Sequence, residues 1–181
     1  MIPLENYGVQ CMSMGFLVDS EEALVWRGPM VMGAVEKLAH GTHWDPLDIL
    51  IVDLPPGTGD IHLSIAQTIN VSGAVIVSTP QKVALADAKK GAKMFQRVHI
   101  PILGLVENMS SFVCPKCQEV THVFGTQHEI LQGIETLGSV PLEVEIMKNS
   151  DRGSPIVASH PNSKAAKVYQ DIGDKILSKL S

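Results

Sequence analysis

The chain has 181 residues, 45% hydrophobic and 18% charged, so it holds enough apolar side chain for a sizeable core. A formal net charge of -5 without a long Lys/Arg cluster argues against a phosphate-neutralising face, and 4% aromatic residues against a base-stacking platform; neither pattern fits a nucleic-acid binder. The longest apolar runs, such as 49–52 and 74–77, fall far short of the roughly 18 residues of a transmembrane segment, and three cysteines make no secreted disulfide framework.

The opening "MIPLENYGVQCMSMGFLV" carries neither a signal-peptide pattern nor an Arg-rich transit pattern, and it reads as a start inside a fold. Short, almost continuously apolar strands are predicted over 11–18, 48–54, 74–78, 102–107 and 139–142, with Cys11 a buried thiol on the first. Strands without alternation are buried on both faces, as parallel strands are. Helical periodicity falls between them at 30–39, 61–69, 84–98 and 127–137, and a final amphipathic helix covers 163–180. This order predicts one α/β domain, a parallel open sheet flanked by helices, with ligands at the carboxyl ends of the strands.

Three strand ends carry candidate chemistry. In "LDILIVDLPPGTGD" an aspartate closes an apolar strand and a glycine-rich turn leads into a helix N-terminus. Asp53 there could hold Mg2+ through water, and the Gly57 backbone N–H could face a terminal phosphate. An ordinary Pro-Pro-Gly turn accounts for the same letters. In "GLVENMS", Asn108 follows a strand and could offer its amide oxygen and nitrogen to an adenine edge, or simply serve as a turn asparagine.

The third is "SFVCPKCQEVTHVFG", whose Cys114 and Cys117 are spaced so that one turn points both sulfurs at one metal ion or cluster. A closed four-ligand site needs two more groups; His122 and His128 are the local candidates. A redox dithiol would open a helix directly after a strand, whereas loop-like residues follow here. Incidental cysteines in a loop remain the plain alternative.

Together, "WRGPMVMGAVEKL", "DILIVDLPPGTGD", "GAVIVSTPQ", "ADAKKGAKMF", "PILGLVENMS" and "CPKC" followed by "HVFG" resemble the Mrp/ApbC-type P-loop ATPases that carry iron-sulfur clusters. The likeness is above all to the nucleotide-binding protein-like factors that serve assembly of respiratory complex I, and it runs in order from Tyr7 to the last helix. It implies a P-loop NTPase fold of the MinD kind, with Asp53 as the Walker B aspartate near Mg2+ and Gly57 near the γ-phosphate. It further implies Asn108 at the adenine, Pro141 and Leu142 in the base-side loop, and Cys114 and Cys117 meeting their symmetry mates in a homodimer to bind a labile [4Fe-4S] cluster. Two cysteines from each of two chains make the four thiolates such a cluster needs. ATP and Mg2+ would regulate delivery to apo iron-sulfur proteins, subunits of complex I among them, in the mitochondrial matrix or, alternatively, a bacterial cytoplasm.

The sequence also departs from that family. No stretch approximates its phosphate-binding GKGGVGKS, and the Asp-rich segment that follows it is absent too. The chain is therefore expected to be the C-terminal part of a longer protein, or a truncated gene product, that begins after the P-loop, with weak or absent ATP binding and no activity alone. Two other classes use some of the same residues. A zinc-ribbon interaction module would close the cysteine site with histidines inside one chain. A MinD/ParA-like positioning ATPase would need a membrane-binding amphipathic tail or a basic surface, and the lysines of the last helix, interspersed with Asp171 and Asp174, read more simply as a solvated face.

Overall fold

The computed structural model describes residues 1–17, 28–54, 60–125, 131 and 133–181, in two compact units, Met1–Asn70 and Val71–Ser181. Among the described residues no helix is long and apolar enough to cross a membrane.

In the first unit, strands β1 (Leu4–Asn6) and β2 (Val9–Cys11) pair antiparallel around Tyr7 and Gly8. The φ values of these two residues, 52° and 73°, are the positive angles that a tight two-residue hairpin turn requires. Gln10 then exchanges two hydrogen bonds with Asp45: its Nε2 donates to Oδ2 at 2.9 Å, and its Oε1 accepts from the Asp45 backbone N–H at 3.1 Å. Beyond β2, Ser13 Oγ accepts from the Gly15 N–H at 3.2 Å and caps a 3-10 turn, Met14–Phe16. That cap replaces the strand expected over 11–18 past Cys11 and leaves the Cys11 thiol exposed rather than buried; Val18 lies outside the described residues. Helices α1 (Gly28–His40) and α2 (Asp60–Thr68) form where the apolar period predicted them and pack on one another.

Segment 48–54 is the larger departure, for it forms no strand, and Ile49, Leu50, Ile51 and Val52 are 43%, 42%, 85% and 39% exposed. An apolar run becomes a strand only where a neighbouring edge supplies partners for its N–H and C=O groups. None of the described strands pairs with it.

The second unit contains, in chain order, β3 (Ala74–Ser78), α3 (Lys82–Arg97), β4 (Ile102–Asn108), the two-residue strands β5 (Phe112–Val113) and β6 (Val120–Thr121), β7 (Thr136–Val140), α4 (Val144–Asp151), α5 (Ile156–Ser159) and α6 (Lys164–Leu180). Strands β3, β4 and β7 form a parallel sheet in that order, flanked by helices. Consecutive strand residues face opposite sides, so β4 sends Leu105 one way and Val106 the other. On the first side Leu105 meets Ile76 together with Ala88, Ala92 and Phe95 of α3; on the second Val106 meets Val140 together with Val168, Ile172 and Ile176 of α6. Both helices present these side chains at the three-to-four-residue spacing of one helical face. Ser163 caps α6 by accepting from the Ala166 N–H at 3.1 Å. Lys175 Nζ donates to the Leu137 carbonyl at 2.6 Å, and Lys179 pairs with Glu135 at 2.8 Å, so α6 is also fastened to the sheet by polar contacts. The hydrogen bond from Lys179, then its charge, holds the Glu135 carboxyl below the usual carboxylate range.

Two bulges shape this sheet. The register passes from Ala74↔Ile102 to Val75↔Gly104, leaving Leu103 extra, and from Leu105↔Thr136 to Val106↔Gly138, leaving Leu137 extra. Each displaced leucine needs space, and glycine supplies it: a Cβ on Gly73 would lie 2.7 Å from Leu103 Cγ, and one on Gly104 would lie 2.5 Å from Leu137 Cγ. A helix was expected over 127–137 and a strand over 139–142; instead Gly133 turns the chain at φ 80° and the strand runs Thr136–Val140. Residues 127–130 and 132 of that expected helix lie outside the described residues. Pairing with β4 decides the outcome, and it claims Thr136 and Leu137 for the sheet.

A Cβ at Gly104 would also come within 2.8 Å of the Glu135 carbonyl, which already accepts from the Leu105 N–H and cannot swing aside. Gly104→Ala is therefore expected to lower stability by about 1–3 kcal/mol. Gly173→Ala in α6, where the added carbon meets nothing within 4 Å, should raise it by about 1 kcal/mol. Urea unfolding of both variants beside the parent chain checks the pair, and equal midpoints for the two would contradict the packing described.

Candidate functional site

The carboxyl ends of β4 and β7 meet at the pair Asn108↔Val140. Past Asn108 the chain reverses at Met109, φ 56°, whose N–H donates to the Asn108 side-chain oxygen at 3.0 Å. The positive φ that a turn asparagine would supply thus falls one residue later, while the Asn108 amide oxygen braces the turn. Ser110 follows and is buried; its backbone N–H and its hydroxyl both donate to the Val140 carbonyl, at 3.0 and 3.1 Å. The Leu142 N–H donates to the Ser111 carbonyl at 2.7 Å, so Pro141 and Leu142 are held directly beside the end of β4. Asn108, Pro141 and Leu142 are therefore brought together.

From Phe112 the chain leaves this corner as the antiparallel hairpin β5–β6, paired through Phe112↔Thr121 and Val113↔Val120. One further rung follows, with the Cys114 N–H donating to the Glu119 carbonyl at 3.0 Å. The turn then closes as the Gln118 N–H donates to the Cys114 carbonyl at 2.9 Å, with Gln118 at φ 61°. Cys117 is exposed and Cys114 partly so. The backbone N–H groups of Cys117 and Lys116 reach back to the Cys114 sulfur and, with the Cys117 side chain, hold its thiol below the ordinary thiol range. Such a turn favours a thiolate before any metal arrives, which suits a soft iron or zinc centre.

His122, a sequence candidate for a third ligand, sets its Nδ1 3.0 Å from the Ser110 carbonyl, a contact that leaves Nε2 open, but the fold does not gather it with Cys114 and Cys117 into one ligand group. No group of three or more His, Cys, Asp or Glu side chains able to hold a metal ion occurs among the described residues, and His128 lies outside them. Asp53 belongs to the first unit and is exposed on the unpaired segment, and Gly57 lies outside the described residues. Ser110 was not singled out from the sequence. Its role depends on a partner thirty positions on, which no local pattern encodes.

A family model described as a ParA-type NUBPL iron-transfer P-loop NTPase matches residues 1–177. The chain belongs to this family. Its relatives include an iron-sulfur protein required for NADH dehydrogenase, mitochondrial, from Arabidopsis thaliana, 54% identical over 99% of this chain and 59% of its own length. The iron-sulfur cluster transfer protein NUBPL of Mus musculus is 54% identical over 99% of this chain and 58% of its own length. This chain thus spans somewhat less than three-fifths of the length of these relatives. Among solved structures, a nucleotide-binding protein from Archaeoglobus fulgidus in complex with ADP aligns at a TM-score of 0.68 with 34% identity, covering 84% of this chain and 61% of its own. The cell division ATPase MinD of Pyrococcus furiosus aligns at 0.59 with 20% identity, covering 83% of this chain and 58% of its own, a likeness of fold. The parallel sheet and its helices are thus those of a P-loop NTPase.

The hydrogen bonds on Cys114 make a direct prediction. In the metal-free chain, alkylation of Cys114 by iodoacetamide, followed by peptide mass spectrometry from about pH 6 to about pH 10, should rise through a midpoint below the ordinary thiol value, taken from an unstructured peptide of the same residues. Depression of the thiol means that the reactive thiolate is present above that lowered midpoint and lost as pH falls through it. A midpoint at or above the ordinary value would contradict the turn geometry.

Proposed function

We propose that this chain is an iron-sulfur carrier that holds a labile [4Fe-4S] cluster between two copies of itself, through Cys114 and Cys117 of each, and delivers it to apo iron-sulfur proteins. The observation that carries the proposal is a hairpin turn that presents two cysteines three positions apart, Cys117 exposed and Cys114 partly so, with no group of three or more possible ligands among the described residues. A cubane cluster takes four thiolates, and two from each chain complete it by symmetry. A zinc ribbon closed within one chain would need ligands that the described residues do not gather. The relatives' names support iron-sulfur cargo, and the plant relative's name, required for mitochondrial NADH dehydrogenase, supports a recipient in that enzyme and a mitochondrial setting, for which the matrix is our assignment.

The nucleotide side of the proposal assigns Asp53 to Mg2+ through water, Gly57 to the terminal phosphate, and Asn108, Pro141 and Leu142 to the base. The adjacency of Asn108 to the Pro141–Leu142 loop supports the last of these, since ligands of open α/β sheets sit beyond the carboxyl ends of the strands. The phosphates are the weak part: no glycine-rich phosphate loop occurs in the sequence, and a loop of that kind supplies most of the backbone donors to a triphosphate. In this account residues 1–181 form the C-terminal portion of one ATPase domain, with the cluster loop at 111–125.

Two measurements test these claims. After anaerobic reconstitution, Cys114→Ser and Cys117→Ser should each lose nearly all iron-sulfur absorption while far-ultraviolet circular dichroism stays that of the parent, because the hairpin stands outside the cores around Leu105 and Val106. A double variant that keeps its absorption would refute the ligand assignment. Isothermal titration of this chain with Mg-ATP should give no saturable binding in the micromolar range, and micromolar affinity would contradict the dependence on a phosphate loop.

A further inference from the structure

Strands β5 and β6 are each two residues long, and an isolated two-stranded hairpin is marginal in water. Its first arm is continuous with Ser110 and Ser111, which are held to the end of β7. Past Thr121, the described tie from the second arm to that anchored corner is the contact of His122 Nδ1 with the Ser110 carbonyl at 3.0 Å. A carbonyl can only accept, so the proton is on Nδ1 and the ring donates. Ser110 in turn donates twice to the Val140 carbonyl, and the loop that begins at Pro141 starts at the next residue. The hydrogen bonds therefore run without a break from the ring of His122, through Ser110, to Val140, the last residue before the base-side loop.

We propose that His122 is a positioning residue, not a metal ligand: by donating from Nδ1 to Ser110 it closes the base of the cysteine hairpin and fixes where Cys114 and Cys117 stand relative to the carboxyl ends of β4 and β7. The role of the hairpin in holding a cluster rests on the function proposed above; the latch itself does not. Its consequence for that function is directional. Two cysteine pairs from separate chains can share one cluster only if each hairpin is held at a fixed attitude, so loosening the latch speeds loss of the cargo without removing a ligand.

Replacing His122 by three residues tests this. The amide nitrogen of Asn sits close to where Nδ1 was, and that of Gln close to where Nε2 was, so His122→Asn keeps the latch and His122→Gln and His122→Ala break it. In the metal-free chain, hydrogen exchange at the Cys114 and Gln118 N–H groups should quicken roughly fivefold in the Ala and Gln variants, the effect of one lost hydrogen bond, and return in Asn. Exchange at the Leu105 N–H, bonded to Glu135 in the sheet, and the urea midpoint should stay at the parent values. After reconstitution the Ala variant should show the parent's visible spectrum and give up iron to a chelator several-fold faster. Unchanged exchange at Cys114 and Gln118 in the Ala variant, rescue by Gln rather than Asn, or a changed spectrum in the Ala variant would each overturn the proposal. Should the parent chain itself take up no iron and sulfide, the function proposed above fails, while the exchange result still decides the latch.

Discussion

Pairing of β4 with β7 is the constraint on which the second unit depends. It brings Asn108 opposite Val140, and the Val140 carbonyl then takes two hydrogen bonds from buried Ser110. A hydroxyl and an amide removed from water each need such a partner, and leaving either without one costs about 1–3 kcal/mol. The chain leaving β4 is thereby pinned to the chain leaving β7. The loop beginning at Pro141 and the cysteine hairpin beginning at Phe112 both start from that pin. The proposed base-side loop and the proposed cluster hairpin thus start from one hydrogen-bonded corner.

Against that corner stands the thin construction of the hairpin. The cores on the two sides of the sheet enclose Leu105 and Leu137 completely, whereas the hairpin adds only short strands and exposed ends. What it contributes is chemical: backbone hydrogen bonding from Cys117 and Lys116 lowers the Cys114 thiol and so favours its thiolate. A carrier has to release what it holds, and an exposed pair of thiolates on a lightly supported turn suits transfer better than a buried four-ligand cage would. The exposed apolar segment at 49–52 is the opposite case, with composition for a sheet interior and no described strand beside it.

How much of this was legible in the sequence follows from how local each cause is. Strands β3 and β4 and helices α3 and α6 were readable because their signal is their own periodicity, apolar runs bounded by turns and one helical face repeated. The cysteine pair could be put forward from the sequence because its spacing is what a shared metal or cluster would need. Strand β7 was misplaced because Gly138, which makes room for Ile172 of α6, and the bulged Leu137 interrupt the pattern that a regular strand would show. Segment 48–54 was read as a strand from composition alone, yet a strand is a property of two edges and only one edge was in view. β5 and β6 are too short to carry a period. The contact of His122 with Ser110 depends on how the hairpin folds back, which no local pattern in the sequence encodes.

The central claim is that two chains share one cluster, and its most direct measurement is composition and mass together. Anaerobically reconstituted protein should contain about two irons and two sulfides per chain in a particle of about twice the 19.5 kDa chain mass, returning to the single-chain mass when the cluster is removed by chelation. A colourless monomer holding one zinc per chain would contradict the account.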